Sequence, residues 1–265
     1  MIKFTIITPV LNQVAYLPRT LQSVISQRSS VFELEHIIID GGSTDGTVEV
    51  ITAYAQEYPD IVSYISEPDN GVYDAINKGF SRSSGTVVAW LNADDSYCDQ
   101  VLNRVAGCFS ENSECQWLYG FSDIINSSER RIRRLISTYK NFRGRTFSRA
   151  KLISENFISQ PSVFFRRSIQ QQIGPLSTSF TLAADYDYWL RMAERSQPLV
   201  LPQVLSRFRW RPDSLSGRNF HRQFTEELAI ALRYRNKFPV HAALHRLATL
   251  RTRAIYALIN RIGDC

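Results

Sequence analysis

A regular alternation of strand-like and helix-like segments over the first 125 residues is the feature that most constrains how this chain folds. Short apolar runs at residues 4–8, 35–39 and 86–91 are typical of buried strands, whereas residues 16–27 and 48–55 carry apolar side chains at helical spacing. Alternation of this kind predicts an α/β fold with a mainly parallel central sheet flanked by helices.

Polar side chains follow several of the predicted strands at the point where each strand ends. Asn12 follows the first strand, Asp40 ends the second, and residues 92–95 follow the fourth. The carboxyl ends of parallel strands meet at one edge of a sheet, where ligands of such folds bind. We therefore expect these side chains to line one pocket.

The segment IIIDGGSTDGT spans residues 37–47. A carboxylate at a strand end, here Asp40, can accept hydrogen bonds from a nucleobase and a ribose, and glycines such as Gly42 let the backbone pass close to such a ligand. The same letters also suit a glycine-rich turn that precedes a helix, with Ser43, Thr44 and Asp45 as capping residues.

The segment SEPDNGVYDAINKGF spans residues 66–80 and predicts a turn followed by a helix. Asp74 and Lys78 are i,i+4 neighbours on that helix, so they form either a surface ion pair or a pair of groups that holds a ribose or a phosphate.

The segment WLNADDS, residues 90–96, ends a buried strand with several oxygen donors. Mg²⁺ and Mn²⁺ accept one or two carboxylates together with substrate phosphate oxygens, and the adjacent Asp94 and Asp95 repel each other unless a cation compensates them. The alternative is a helix cap.

Further along, the segment AADYDYWLRM, residues 183–192, predicts the start of a helix with Asp185 and Asp187 in its first turn. Both carboxylates can cap the helix, and Asp185 can instead act as a general base if it faces the cleft.

Taken in order, these four segments resemble the family-2 inverting glycosyltransferases, which have the GT-A fold, over residues 2–216. The likeness is strongest to bacterial enzymes that build surface polysaccharides, such as those for colanic acid and O-antigen. It implies transfer of a sugar, with inversion, from a nucleotide diphosphate to an acceptor hydroxyl, in capsule, O-antigen or exopolysaccharide biosynthesis. The implied partners are a nucleotide-sugar donor, with a UDP-sugar favoured, and a saccharide or lipid-linked saccharide acceptor.

The resemblance also assigns roles to individual residues. It implies that Mn²⁺ or Mg²⁺ is bound by Asp94 or Asp95, and that Asp185 is the catalytic base. The residues that it implies for nucleotide-sugar binding are Thr8, Pro9, Asn12, Asp40, Gly42, Asp74, Lys78, Asn92, Ala93 and Asp94.

Three residues depart from the family pattern. Asn92 replaces the first Asp of the DxD motif, Ala184 replaces the Glu that commonly precedes the catalytic Asp, and Gly41 replaces an Asp. An amide oxygen still binds a ribose or a metal, so the metal site is retained as an expectation. The departures leave open a catalytically idle homologue that serves as a binding or partner subunit.

Positive charge is concentrated in two parts of the chain, whose formal net charge is +6. Residues 130–151 carry nine Lys or Arg and no carboxylate, and we interpret them as a long loop or insertion. Residues 220–265 predict a basic, amphipathic helical extension beyond a catalytic domain at residues 1–219. This extension packs on the catalytic domain, on a second copy of the chain in a homo-oligomer, or on an anionic membrane surface. Arg207, Arg209 and Arg211 either contact a diphosphate or form a solvated strand edge.

Other classes of protein fit less well. No nucleic-acid-binding motif accompanies the charge, so no nucleic-acid partner is expected. A sugar-phosphate nucleotidyltransferase would need a glycine-rich basic loop after the first strand, and a glycoside hydrolase would leave the Asp40 turn unexplained.

The location of the protein follows from what the sequence lacks. No apolar run reaches the ~18–20 residues of a membrane span, and the N-terminal residues predict a buried strand rather than a signal peptide. Four cysteines without CxxC spacing suit reduced thiols. We expect a cytoplasmic protein, and the basic tail extends that expectation to the inner face of the cell membrane.

Overall fold

The structure, a computed structural model, describes the backbone of residues 1–262, and the side chains of residues 1–255 other than Ser216. Over this range the strands form one eight-stranded sheet. The strands are β1 (Ile2–Val10), β2 (Phe32–Asp40), β3 (Val62–Ser66), β4 (Val87–Trp90), β5 (Ser96–Tyr97), β6 (Trp117–Ile125), β7 (Val163–Arg166) and β8 (Leu199–Arg209). The helices are α1 (Leu17–Ile25), α2 (Thr47–Glu57), α3 (Val72–Arg82), α4 (Val101–Glu111), α5 (Arg134–Gly144), α6 (Arg149–Ser154), α7 (Arg167–Ile173), α8 (Ala184–Arg195), α9 (Leu215–Arg218), α10 (Phe220–Arg233) and α11 (Pro239–Ile262).

The sheet has the strand order β3-β2-β1-β4-β7-β6-β8-β5. Strands β3, β2, β1 and β4 are parallel neighbours, β7 runs antiparallel to both β4 and β6, and β5 runs antiparallel to β8. The register places Val10 opposite Asp40, and Asp40 opposite Ser66, so the ends of three strands coincide. This arrangement confirms the predicted α/β fold and the shared edge on which the polar segments lie.

Three stacked tryptophans fix helix α8 to the sheet. The Trp189 ring lies between Trp90 of β4, at 5.2 Å between ring centroids, and Trp117 of β6, at 6.4 Å, with interplanar angles of 17° and 12°. All three rings are buried. Large buried aromatic surfaces contribute more than their area alone when they stack, so the N-terminus of α8 has little freedom to shift relative to the sheet.

The prediction of a loop over residues 130–151 is wrong, because this segment forms α5 and α6. Helix α5 escaped detection because it buries only Ser137 and Gly144, so it shows no inward apolar stripe. Its large apolar side chains, including Leu135 and Phe142, are exposed instead. The Ser148 hydroxyl caps α6 by accepting a hydrogen bond from the Lys151 N–H at 3.2 Å.

The C-terminal segment is helical, as predicted, over its described residues. Ile230 and Ala231 of α10 belong to the same buried cluster as Trp189, and His245 of α11 is buried against the Ile153 carbonyl at 2.8 Å. The extension thus packs on the rest of the chain, and the boundary at residue 219 stays a prediction. Among the described residues no helix combines the length and the apolar character needed to cross a bilayer.

Candidate active site

Asp40 organises the turn that follows β2. Its carboxylate is buried, and one of its oxygens accepts hydrogen bonds from the N–H groups of Gly42 (3.1 Å) and Ser43 (3.0 Å) and from the Ser66 hydroxyl (2.7 Å). Gly42 adopts a φ of 90°, which an L-residue rarely takes, so a glycine is needed for this turn. The predicted base-binding carboxylate therefore shapes the loop at the end of β2.

Asn12 joins the loop after β1 to the Asp40 turn. Its backbone N–H donates to the Ser43 hydroxyl at 2.7 Å, and its side-chain oxygen accepts from the Thr44 N–H at 2.9 Å. The residue has a φ of 51°, a left-handed conformation that Asn tolerates better than most residues. Asn12 lies exposed at the sheet edge, where the prediction places a bound nucleotide.

Besides Asp40, three more residues predicted to bind the nucleotide are buried. The Thr8 hydroxyl lies 2.9 Å from His36 Nε2 within the sheet, and burial lowers the pKa of His36 to about 3, so that this imidazole is neutral. Pro9 pairs with Ile39 inside the sheet, and Ala93 is buried beside α1. These residues support the loops of the site from the interior of the protein. Any direct contact between them and a ligand stays a prediction.

Asp74 and Lys78 form the predicted i,i+4 ion pair on α3, with Nζ 3.9 Å from Oδ2. Lys78 also lies 2.9 Å from Glu67 and donates to the Pro68 carbonyl at 3.1 Å, while Asp74 accepts from the Asn70 N–H at 3.0 Å. Both charges hold the turn before α3 in place, and their contacts with a ribose or a phosphate remain predictions.

The two carboxylates at the DxD position have different surroundings. Asp95 is buried, with one oxygen accepting from the Arg209 N–H at 2.8 Å and the other 3.4 Å from the Asn92 amide nitrogen. Burial, reinforced by the adjacent Asp94, raises the pKa of Asp95 well above its usual range. Asp94 is partly exposed, and burial raises its pKa although Arg211, 3.2 Å from Oδ2, opposes the shift.

Arg209 and Arg211 are not the solvated strand edge that was one alternative, because both guanidinium groups are largely buried at the DxD segment. Arg209 donates to the Asp94 carbonyl at 2.9 Å and pairs with Glu129. Arg211 donates to Gln13 in the loop after β1 at 3.1 Å as well as to Asp94. The arginines therefore add positive charge where a diphosphate would lie, and Arg211 connects two loops of the site.

The donor set at this position suits a hard divalent cation only in part. No group of three or more His, Cys, Asp or Glu side chains suited to a metal occurs in the part of the chain that the structure describes. Asp94 and the Asn92 amide oxygen are oxygen donors of the type that Mg²⁺ and Mn²⁺ accept, and these cations take their other ligands from substrate phosphates and water. The residues present therefore fit a cation that binds together with a donor diphosphate.

Asp185 lies in the first turn of α8 and is partly exposed. Its carboxylate accepts a hydrogen bond from the Tyr186 N–H at 2.8 Å. Burial raises the pKa of Asp185 to about 7; the negative charge of Glu227 acts in the same direction, and the positive charge of Lys140 opposes it. A carboxylate with a pKa near neutrality can accept a proton from a weak acid and release it again at physiological pH.

Two glutamates of α10 reach the start of α8, and the sequence reasoning missed both. A single carboxylate oxygen of Glu226 accepts hydrogen bonds from the backbone N–H groups of Leu182 (2.8 Å) and Ala183 (3.2 Å), and from that of Thr181 (3.1 Å). These residues immediately precede α8, whose N-cap residue Ala183 has no side chain that can cap, so Glu226 holds the backbone that leads into the helix. No local sequence signal connects residues that are more than 40 positions apart.

Glu227 and Lys140 complete the surroundings of Asp185, and they too were missed. Glu227 is buried and accepts hydrogen bonds from the amides of Asn156 (3.1 Å) and Gln223 (3.2 Å). Burial raises the pKa of Glu227, against the opposing charge of Lys140, and burial lowers the pKa of Lys140. Lys140 belongs to the segment interpreted as a loop, which is why its position opposite Asp185 could not be foreseen.

A chain of contacts joins the separate parts of the site. Asp40 contacts Asn12 through Ser43, and the neighbouring Gln13 contacts Asp94 through Arg211. On the other side, the phenol of Tyr73 on α3 lies beside the backbone N–H groups of Ala184 and Asp185, and burial together with the Asp185 charge raises its pKa well above the usual range.

Two cavities lie at opposite edges of the sheet. A cavity of about 290 Å³, lined in part by Tyr16, Trp210 and Arg211, adjoins this site. Another, of about 280 Å³, lies at the amino ends of the strands around Lys3 and Glu35 and contains none of the predicted residues. The chemistry that the sequence predicts therefore belongs to the carboxyl edge.

Comparison with known proteins gives relatives at two levels of similarity. A PGL/p-HBAD biosynthesis glycosyltransferase of Mycobacterium bovis is 35% identical over 190 residues, which cover 71% of this chain and 68% of the relative. An uncharacterized glycosyltransferase of Mycobacterium tuberculosis is 28% identical over 265 residues, with 98% of this chain and 94% of the relative covered.

Two solved structures share the fold at low sequence identity. A mannosyltransferase from Pyrobaculum calidifontis in complex with GDP-Man and Mn²⁺ superposes with a TM-score of 0.71 at 16% identity, over 99% of this chain and 76% of the other. S. aureus TarS 1–349 in complex with UDP-GlcNAc superposes with a TM-score of 0.61 at 16% identity, over 86% of this chain and 66% of the other. These likenesses show the fold.

The sequence profile of the family described as glycosyl transferase family 2 matches residues 5–174, which is more than half of the chain. This segment includes the Asp40 turn, the start of α3 and the DxD position, and it ends before α8. Together with the fold and the 35% identical relative, the match shows that the chain belongs to glycosyl transferase family 2.

Proposed function

We propose that this glycosyltransferase moves a sugar from a nucleotide-diphosphate donor to an acceptor hydroxyl with inversion at the anomeric carbon. The observation that carries the proposal is Asp185, whose environment raises its pKa to about 7 in the first turn of α8, beside Tyr73 of α3. Asp185 takes the proton of the acceptor hydroxyl while the hydroxyl oxygen attacks the anomeric carbon. The bond from that carbon to the diphosphate oxygen breaks, and the nucleoside diphosphate leaves with the electron pair. Attack from the face opposite the leaving group gives inversion.

The nucleotide half of the site is built from the loops after β1 and β2. In the proposal, the exposed Asn12 and the glycine turn after Asp40 receive the nucleoside, while Asp74 and Lys78 lie at the rim beside it. Two structural neighbours hold UDP-GlcNAc and GDP-Man. We favour a UDP-sugar for this chain.

The diphosphate would lie at the DxD position. Asp94 is the better of the two candidate ligands for Mn²⁺ or Mg²⁺, because both oxygens of Asp95 already have protein neighbours within the buried segment. Asn92 would add an amide oxygen. A cation bound there supplies a Lewis acid that stabilises the charge of the leaving diphosphate. Arg211 would stabilise the same charge through its guanidinium group, which already lies 3.2 Å from Asp94.

The acceptor would approach from the side of α8 and α10. We infer a saccharide or lipid-linked saccharide acceptor, and a role in the biosynthesis of a bacterial surface polysaccharide such as a capsule, O-antigen or exopolysaccharide. The idle homologue implied by Asn92 and Ala184 is the competing candidate. Glu226 and Glu227 argue for catalysis, because they bring two carboxylates to the place where the family Glu is absent.

A donor panel tests the proposal directly. UDP-, GDP- and dTDP-sugars are each added to the purified chain with and without Mn²⁺, and the melting temperature is measured. We expect one class, the UDP-sugars, to raise Tm, and Mn²⁺ to increase the rise. In Asp94→Asn the increment from Mn²⁺ should disappear while the nucleotide still binds. If no donor raises Tm and no nucleoside diphosphate is released with a saccharide acceptor, the proposal is wrong.

The pH dependence of transfer provides a second test. Since only ionised Asp185 accepts a proton, kcat/KM should fall about tenfold per pH unit below an inflection near pH 7. Lys140→Met removes a positive charge that lowers the pKa of Asp185, so the inflection should move to higher pH. Glu227→Gln removes a negative charge that raises it, so the inflection should move to lower pH. The measurement is kcat/KM from pH 5 to 9.

Lys3→Met, at the opposite edge of the sheet, is the matched control and should leave the inflection unchanged. Shifts of Lys140→Met and Glu227→Gln in the same direction would contradict the assignment of Asp185 as the group that titrates.

A further inference from the structure

Helix α5 exposes a stripe of large apolar side chains. Leu135, Tyr139 and Phe142 follow one another at the i, i+4 and i+7 positions of the helix, and 87%, 39% and 66% of their surfaces are exposed. The opposite side of α5 carries Ser137 and Lys140, which face the protein and the surroundings of Asp185. A soluble domain rarely leaves such a stripe uncovered without a function.

Helix α11 exposes a second apolar stripe over its first four turns. Val240, Leu244, Leu247 and Leu250 are all exposed, between 45% and 64% of their surfaces. The inner face of this helix is formed by Ala242, His245 and Thr249, which are buried against the rest of the chain. The outward apolar residues are therefore not needed for the packing of the helix.

Arg251 links the two helices that carry these stripes. It lies one turn after Leu247 on the same face of α11, donates to the Tyr139 hydroxyl at 3.1 Å and stacks over the Tyr139 ring at 5.1 Å from the centroid. It also pairs with Glu155 at the end of α6. The contact between Arg251 and Tyr139 places the two exposed stripes on neighbouring helices. We call the two stripes together, Leu135, Tyr139, Phe142, Val240, Leu244, Leu247 and Leu250, the apolar face.

The charges around the apolar face are almost all positive. Neither α5 nor α11 contains an Asp or Glu, whereas Arg134 and Arg143 lie on α5, and Arg246 and Arg251 lie on α11. Glu155, whose carboxylate accepts a hydrogen bond from the Tyr139 hydroxyl, is paired with both Arg143 and Arg251. Large apolar side chains surrounded by arginines and lysines are the combination found in helices that lie at the interface of anionic bilayers.

We propose that the apolar face binds the surface of an anionic lipid bilayer, with Leu135, Phe142 and Leu247 inserted between headgroups and the surrounding arginines against lipid phosphates. A second copy of the chain fits this face less well, because a symmetric contact would bring the two basic surroundings against each other. Insofar as the acceptor is lipid-linked, which rests on the proposed function, binding in this way would bring the Lys140 side of α5, and with it Asp185, close to the bilayer.

Vesicle co-sedimentation with the full chain tests the proposal without any donor or acceptor, so its result is independent of the glycosyltransferase assay. The vesicles are phosphatidylcholine alone, and phosphatidylcholine with one third phosphatidylglycerol. We expect binding to the anionic vesicles that is at least tenfold stronger than to the neutral ones and that weakens at high salt. Leu135→Ser/Phe142→Ser and, separately, Leu244→Ser/Leu247→Ser should each weaken the binding at least tenfold.

Val31→Ser is the matched control, because Val31 is as exposed as Leu247 and lies at the start of β2, outside the apolar face. It should bind as the wild type does. Far-ultraviolet circular dichroism and Tm establish that each variant is folded. The proposal is overturned if the wild type does not bind anionic vesicles. It is equally overturned if both double variants bind anionic vesicles as well as the wild type does. It is also overturned if sedimentation velocity shows a dimer that the variants dissociate while no vesicle binding occurs.

Discussion

Asp185→Asn should transfer sugar about 10²–10⁴ times more slowly than the wild type and, at the same time, unfold at a higher temperature. The loss of rate follows because an amide cannot take the proton of the acceptor hydroxyl. The geometry of the site should survive, because the amide oxygen of Asn can still accept the hydrogen bond from the Tyr186 N–H. The donor should therefore bind with unchanged affinity, and the effect should fall on kcat.

The gain in stability follows from the raised pKa of Asp185. Because this pKa is about 7 in the folded chain, against an ordinary aspartate value of 3.8, ionisation of Asp185 opposes folding. This unfavourable contribution is absent below pH 4, grows as the pH rises from 4 to 7, and is constant above pH 7. Since Asn has no such ionisation, the variant should be more stable at pH 8, by up to about 4 kcal/mol before solvent screening reduces it, and not at pH 4.

Asp187→Asn is the matched control, since it changes the same residue type two positions along α8. The carboxylate of Asp187 pairs with Arg191 at 2.9 Å and with Arg233 at 3.2 Å, so its loss should lower the stability at pH 8 instead of raising it. The measurements are kcat, KM for the donor, and the free energy of unfolding at both pH values. Transfer by Asp185→Asn at the wild-type rate would rule out Asp185 as the base.

Glu226→Ala should lower kcat about 10²-fold with little change in KM for the donor. Glu226 acts as a positioning residue, because its carboxylate holds residues 181–183, whose path determines where Asp185 points. Without it, three backbone N–H groups at the start of α8 lose their acceptor, and misplacement of a catalytic group by about 1 Å costs on the order of 10² in rate. The loss of this cap should also destabilise the chain by about 1–2 kcal/mol.

Glu226→Gln separates positioning from stability, because its amide oxygen can still accept these hydrogen bonds. It should recover most of kcat. Arg222→Ala removes the exposed partner of Glu226, 3.1 Å away, and should change the stability by less than about 1 kcal/mol. Rates are measured well below the Tm of each variant. If Glu226→Ala is destabilised but keeps the wild-type kcat, Glu226 has a structural role only.

The sequence predicts the part of the protein from β1 to β4 well, because that part is built from local patterns. Strands β1, β2 and β4 are short apolar runs, and the polar residues that end them, such as Asp40 and Asp94, lie at the carboxyl edge as the alternation requires. Asp185 was also predicted at the start of a helix, because its position depends on the amphipathic pattern that follows it.

The surroundings of Asp185 were less predictable for physical reasons that are visible in single residues. The large apolar side chains of α5 face away from the protein, so its sequence pattern resembles that of a basic loop. Because the helix was not predicted, the position of Lys140 beside Asp185 could not be predicted either. Tertiary packing of α10 on α8 brings Glu226 to the backbone of residues 181–183 and the charge of Glu227 to Asp185, which no spacing rule describes. Arg209 is one of three alternating arginines at and just after the end of β8, and only the fold shows that its guanidinium is buried against the Asp94 carbonyl.

The contact between Glu226 and residues 181–183 indicates how far along the chain the residues that support Asp185 extend. The segment that matches the family stops at residue 174, yet the carboxylate that holds the start of α8 comes from residue 226. A chain truncated after residue 219 would keep the loops that follow β1 and β2. The backbone N–H groups of residues 181–183 would, however, lose the Glu226 carboxylate that accepts their hydrogen bonds. With Asp185 as the proposed base, a substitution at Glu226 would alter the position of that base, so α10 would contribute to the active site from outside the segment that matches the family.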